Sequence, residues 1–195
     1  PTLSHFQKDN PRLAENNLQM AEACVQEEEY QEALDFYQKA FQYTQNWIHY
    51  KGLPQLFEKM QEPEKAQLAI LYLAYYQFKA GNYKEAIQTL ESSRKHTPHT
   101  HQILIELYNL IGEQEKALEL SIETARTLSS SHPEQAIQLY MRILRDHPTQ
   151  LSLYSPLATL IDNPALKAHI LLKGVLHALQ LQDDLVAEEL AHQAQ

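Results

Sequence analysis

One cysteine, four glycines and three valines are what this 195-residue chain offers of three residue types that usually announce a fold. A single thiol, Cys24, forms no intramolecular disulfide, and it lies in an apolar helical pattern where a small core residue is expected. That usage suits a reducing compartment and leads to the expectation of a cytoplasmic protein. Valine occurs only at 25, 175 and 186, and no stretch alternates with period two, so strands are not expected. The longest nearly unbroken apolar run, "LAILYLAYY" at 68–76, falls far short of the roughly 20 residues a membrane span requires. Basic residues are outnumbered, 16 Lys and Arg against 25 Asp and Glu, and the net charge of -9 gives no long-range attraction for phosphate backbones or anionic lipid. Neither a nucleic-acid nor a membrane partner is expected.

Helical periodicity fills the chain instead. Leu18, Ala21 and Val25 recur at spacings of three and four, and Ala33, Phe36, Tyr37, Ala40 and Phe41 continue the rhythm. Short breakers containing glycine, proline or asparagine, and the pair Asp183-Asp184, cut the chain into pieces of helix-hairpin length. Helices are expected near 12–27, 30–46, 47–61 (reoriented around Gly52 and Pro54), 64–80, 83–96, 100–111, 114–129, 133–146, 150–162, 164–181 and 183–194. No stretch has the composition of a flexible linker, so 1–195 is expected to be a single domain.

A seven-residue phrase recurs: "EEYQEAL" at 28–34, "GNYKEAI" at 81–87 and "GEQEKAL" at 112–118. The first two copies align at an offset of 53, the second and third at 31. Ala74 and Ala86 are twelve residues apart across the turn, where two methyl side chains let antiparallel helices approach closely. Gly81 supplies a turn that accepts positive φ, and Tyr83 has a ring to lay over the hairpin end.

In these residues the chain resembles the tetratricopeptide repeat family. "LYLAYYQFKAGNYKEAIQTLESSRKHTP", 71–98, carries the motif through Ala74, Gly81, Tyr83, Ala86 and Pro98, and 14–45 matches through Ala21, Tyr30, Ala33, Tyr37 and Ala40. The best-matching repeats span about 14–45, 67–98 and 98–130. The third keeps Tyr108, Gly112 and Ala117, with Ile105 where the small residue should stand, and "EQAIQLYMRILRDHP" at 134–148 looks like a lone second helix of the same type. The resemblance implies an all-α, right-handed superhelix of hairpins, with a degenerate helical stretch over 133–195.

What the resemblance implies for function is a protein-interaction module: an adaptor, assembly subunit or chaperone holding a peptide or partner helix. The groove would be lined by first helices, so Leu68, Leu71, Tyr75 and Phe78 would face the partner while Ile70, Leu73 and Ala74 pack inward. At equivalent places the first copy has Glu22 and Val25, and the third has Glu106 and Asn109. Repeats of this family that clamp chaperone carboxylate termini use lysine and asparagine where this chain has Leu18 and Glu22, so that activity is not expected.

Alternatives are a bacterial secretion chaperone, a self-assembling subunit whose apolar helices over 164–194 form a dimer face, and a histidine-dependent metal protein. For the last, "KHTPHTH" at 95–101 gathers His96, His99 and His101, but it spans a turn and has no cysteine or carboxylate at ligand spacing before Glu106. No activated nucleophile, phosphate-cradling glycine loop or carboxylate pair stands out, so neither catalytic residues nor a cofactor is expected.

Overall fold

The structure, a computed structural model, describes residues 3–93 and 97–194, with side chains from residue 10 onward. Eleven α-helices and two 3-10 turns account for the regular structure among the described residues, and no strand is present among them. The chain is all-α, as expected, and its helices form two compact units, 1–96 and 97–195.

The first unit comprises α1 (Leu3–Gln26), α2 (Tyr30–Thr44), a 3-10 turn (Trp47–Tyr50), α3 (Leu53–Lys59), α4 (Pro63–Lys79) and α5 (Tyr83–Glu91). Helices α1 and α2 form one hairpin, and α4 packs on both α3 and α5. The segment expected as one reoriented helix over 47–61 is the 3-10 turn followed by α3. Asn46, whose Oδ1 accepts from the Ile48 N–H at 3.1 Å, caps the start of the 3-10 turn, and Pro54 in the first turn of α3 marks where the new helix begins. Helix α1 begins well before the expected residue 12 and carries Pro11 internally.

The second unit comprises α6 (Pro98–Leu110), α7 (Gln114–Ser131), α8 (Pro133–Asp146), a 3-10 turn (Leu151–Leu153), α9 (Tyr154–Thr159), α10 (Pro164–Gln180) and α11 (Asp184–Gln193). Here α7 packs on α6 and α8, and α10 packs on α9 and α11. Helix α8, which looks unpaired in the sequence, is joined to α7 by His132 alone and packs against it. The expected helix over 150–162 is a 3-10 turn and the short α9. Their core draws Tyr140, Leu153, Leu157 and Leu171 together.

The repeated phrase is one backbone device used five times. Glu28, Gln61, Gly81, Gly112 and Gln182 all have φ between 59° and 84°, the left-handed region. In each case the next residue's N–H donates back to a helix carbonyl at 2.9 Å: Glu29 to Cys24, Glu62 to Phe57, Asn82 to Gln77, Glu113 to Tyr108 and Asp183 to Ala178. Five residues after the left-handed position stands a buried alanine, namely Ala33, Ala66, Ala86, Ala117 or Ala187. Its N–H closes the first turn of the new helix at 3.0 or 3.1 Å. An alanine there lets the second helix lie close on the first. In the α4–α5 hairpin Ala74 and Ala86 are both buried, and Thr89 Oγ1 donates to Gln77 Oε1 at 2.8 Å across the pair. These are tetratricopeptide-like hairpins, and the fold is an all-α helical repeat.

Candidate protein-binding surfaces

Three elements of the second unit enclose a cleft of about 910 Å³. Helix α7 is its floor, through Ala117, Leu118, Ser121, Thr124 and Leu128. The floor stays shallow because its side chains are small and its hydroxyls fold back: Ser121 Oγ donates to the Ala117 carbonyl and Thr124 Oγ1 to the Leu120 carbonyl, each at 2.7 Å. His101 Nδ1, from α6, lies 2.9 Å from Thr124 Oγ1 and fixes that hydroxyl from the other side.

The walls are α6 and α8. From α6 come His99, Gln102, Glu106 and Asn109, spaced to share one helical face; from α8 come Gln135, Gln138, Arg142 and Asp146 at similar spacing. With α7 antiparallel to both, α6 and α8 run in the same direction. Their carbonyl ends therefore lie at one mouth of the cleft, where Glu106 and Asp146 add negative charge beside Arg142. The Arg145 guanidinium, bonded to Asp146 through Nε at 3.0 Å, holds that carboxyl below the ordinary range. The remaining polar lining is mostly carboxamide: Gln102, Asn109, Gln114, Gln135 and Gln138.

Glu106 and Asn109, expected at a partner surface, are thus brought into one cleft. Ile105, which replaces the expected small residue opposite Ala117, lines the same space. Gln102 of α6 and Gln135 and Gln138 of α8 are not singled out by the sequence; their signal is a polar helical face that carries carboxamides as well as charges.

In the first unit the expected residues lie on α4. Leu68, Tyr75 and Phe78 are exposed, at 54%, 51% and 43%, and Leu71 is half-buried; Ile70, Leu73 and Ala74 are buried. Tyr72, not anticipated, is exposed on the same side. Lys79 Nζ sits 5.6 Å from the centre of the Tyr75 ring, and Phe78 contacts Tyr83 with ring centres 5.6 Å apart. Behind this face Tyr76 packs inward against Phe41 and Tyr50, at 5.1 and 5.9 Å between ring centres. On α1, Glu22 is exposed, while Val25 is half-buried against the core formed by Ala21, Cys24 and Ala33.

His99 and His101 belong to the start of α6, and His96 lies outside the described residues. Among the described residues no three histidine, cysteine or acidic side chains gather as a metal cage. No helix of the described residues is long and apolar enough to cross a membrane.

No protein-family model matches the chain, and none of the curated proteins does. Among solved structures it is similar to PilF of Pseudomonas aeruginosa, at 16% identity over 94% of this chain and 91% of that one, with a TM-score of 0.32. It is also similar to BtubC from P. vanneervenii, at 14% identity over 100% and 90%, TM-score 0.33. YrrB, described as a TPR protein with an unusual peptide-binding site, has 13% identity over 89% of both chains and a TM-score of 0.33.

Proposed function

We propose that this chain is a protein-interaction module whose α6–α8 cleft holds an extended segment of another protein. The supporting observation is the carboxamide lining. A carboxamide carries a donor and an acceptor side by side, the same pair that a peptide unit presents, so a row of them suits a backbone without dictating its side chains. Helix α6 is roughly 20 Å long, enough for about six extended residues. The carbonyl ends of α6 and α8, with Glu106 beside them, favour a donor group such as a basic side chain at that end of the segment.

The experiment is selection of a random dodecapeptide display library on the purified protein. Synthetic copies of the recovered peptides are then measured by fluorescence anisotropy. The double variant Gln102→Ala/Gln138→Ala is expected to bind them at least about tenfold more weakly. Glu106→Lys should select against peptides with lysine or arginine. Undiminished affinity in the double variant would remove the cleft as the site.

A second surface is the outer face of α4, on which Leu68, Tyr72, Tyr75 and Phe78 stand at helical spacing. Its aromatic and aliphatic anchors suit an amphipathic partner helix rather than an extended chain. Tyr75→Ala/Phe78→Ala should weaken that contact while leaving peptide affinity at the cleft unchanged.

A further inference from the structure

The α6–α8 cleft has an apolar slot among its carboxamides, and the register of three helices sets it at Ser121. His101 Nδ1 lies 2.9 Å from Thr124 Oγ1 and fixes α6 on α7, so that one turn on Ile105 comes level with Ser121. His132 alone joins α7 to α8, and Ser121 and Ile143 each lie eleven residues from it. The antiparallel pair therefore brings Ile143 level with Ser121 from the other wall. Between the two isoleucines the floor is small and, in effect, apolar. The Ser121 hydroxyl is turned into its own helix, where it donates to the Ala117 carbonyl at 2.7 Å. Leu118, one turn back along α7, is half-buried beside it.

Polar groups bracket this slot. On α6, Gln102 stands one turn before Ile105 and Asn109 one turn after it, roughly 10 Å apart along the axis, the span of about three extended residues. Neighbouring side chains of an extended chain point to opposite sides, so a backbone held by both amides directs a side chain between them at the floor. Charge distinguishes the two ends of the slot. On α8, Arg142 offsets Asp146 one turn further on, so with the histidines neutral Glu106 is the net charge of the lining. It lies toward the carbonyl ends of the helices, where a cation is favoured.

We infer that this slot gives the cleft its sequence preference: it takes one leucine-sized aliphatic side chain between Ile105 and Ile143, over Ser121. The neighbouring residue of the bound segment, on the side of Glu106, is lysine or arginine, its side chain directed away from the floor and toward that carboxylate. The inference rests on the cleft being the binding site, and it adds the side chains that carboxamides leave open. An aliphatic group there exchanges water for Ile105, Leu118 and Ile143 on three sides. A polar side chain would lose its hydration against groups that do not replace it, since the Ser121 proton is committed to the helix.

The test is a positional scan of one selected peptide whose binding depends on Gln102 and Gln138, read by fluorescence anisotropy, with circular dichroism to verify that each protein variant folds. One leucine, isoleucine, valine or methionine is expected to dominate, its change to alanine or asparagine weakening binding at least about tenfold. Ile105→Ala enlarges the slot and should turn the preference at that position from leucine to phenylalanine. Ser121→Leu fills it and should leave alanine there bound at least as tightly as leucine. Glu106→Lys should reverse the charge preferred at the neighbouring position and leave the anchor unchanged. A scan in which no aliphatic position dominates, an anchor preference that either folded slot variant leaves unchanged, or a charge preference unmoved by Glu106→Lys would overturn the inference while the cleft reading stands. If no selected peptide depends on Gln102 and Gln138, the cleft reading fails and the inference fails with it.

Discussion

Gly81 stands five residues before Ala86, and the left-handed turn at the first lets the second be completely buried where α5 meets α4. A β-carbon added to Gly81 would meet nothing within 4 Å, so the glycine is there for its backbone conformation and not for space. Gly81→Ala is therefore expected to cost about 1 kcal/mol without disturbing packing. The same geometry at Glu28, Gln61 and Gln182 is held by residues with a β-carbon. Glu28→Gly and Gln182→Gly should each stabilise the fold by a comparable amount. Urea unfolding of the three variants checks the opposite signs.

Gly52 answers to space instead. A β-carbon there would stand 2.6 Å from Cζ of the buried Tyr37 ring and would also meet its Oη. Gly174 is similar, with Tyr154 Cγ and Leu190 Cδ1 each 2.8 Å from the added atom. Gly52→Ala and Gly174→Ala are expected to destabilise by roughly 1–3 kcal/mol. A double-mutant cycle identifies the cause: in a Tyr37→Ala background, Gly52→Ala should cost much less.

Burial raises the Cys24 thiol above its ordinary value of 9.0, and Glu29, Glu27 and Glu32 raise it further. Burial likewise raises Tyr37, Tyr50 and Tyr154 above 10.0. A group whose folded pKa is raised stabilises fully below its unfolded value, and that contribution is lost as pH rises through the folded value. Urea midpoints should thus hold steady near neutrality and fall from about pH 9 upward. At neutral pH a thiol reagent should label Cys24 only as fast as the protein unfolds.

Much of this architecture is legible in the sequence, because helix periodicity and the glycine turns are local signals. Gly81 and Gly112 announce both the turn and its left-handed backbone; Pro63 and the pair Asp183-Asp184 mark the breaks after Gln61 and Gln182, but a glutamine gives no sign that the turn is left-handed. The candidate surfaces are harder to read. Exposure of Leu68, Tyr75 and Phe78 follows from helical phase once Leu73 and Ala74 are assigned to the core. The cleft depends on three helices meeting, and neither Gln102 of α6 nor the glutamines of α8 say which helix they will face. Val25 shows the reverse problem, since a position equivalent to Phe78 in the repeat is half-buried against its own core.

The central claim, backbone recognition in the α6–α8 cleft, is most directly tested with one selected peptide and its N-methylated forms, measured by fluorescence anisotropy. Methylation at alternate residues removes the N–H groups the carboxamides would accept, while side chains stay the same. Recognition by Gln102, Asn109 and Gln138 predicts at least about a tenfold loss for one methylation register, a small loss for the other, and a reduced difference between registers in Gln102→Ala/Gln138→Ala. Equal affinity for the parent peptide and both methylated forms would contradict the account.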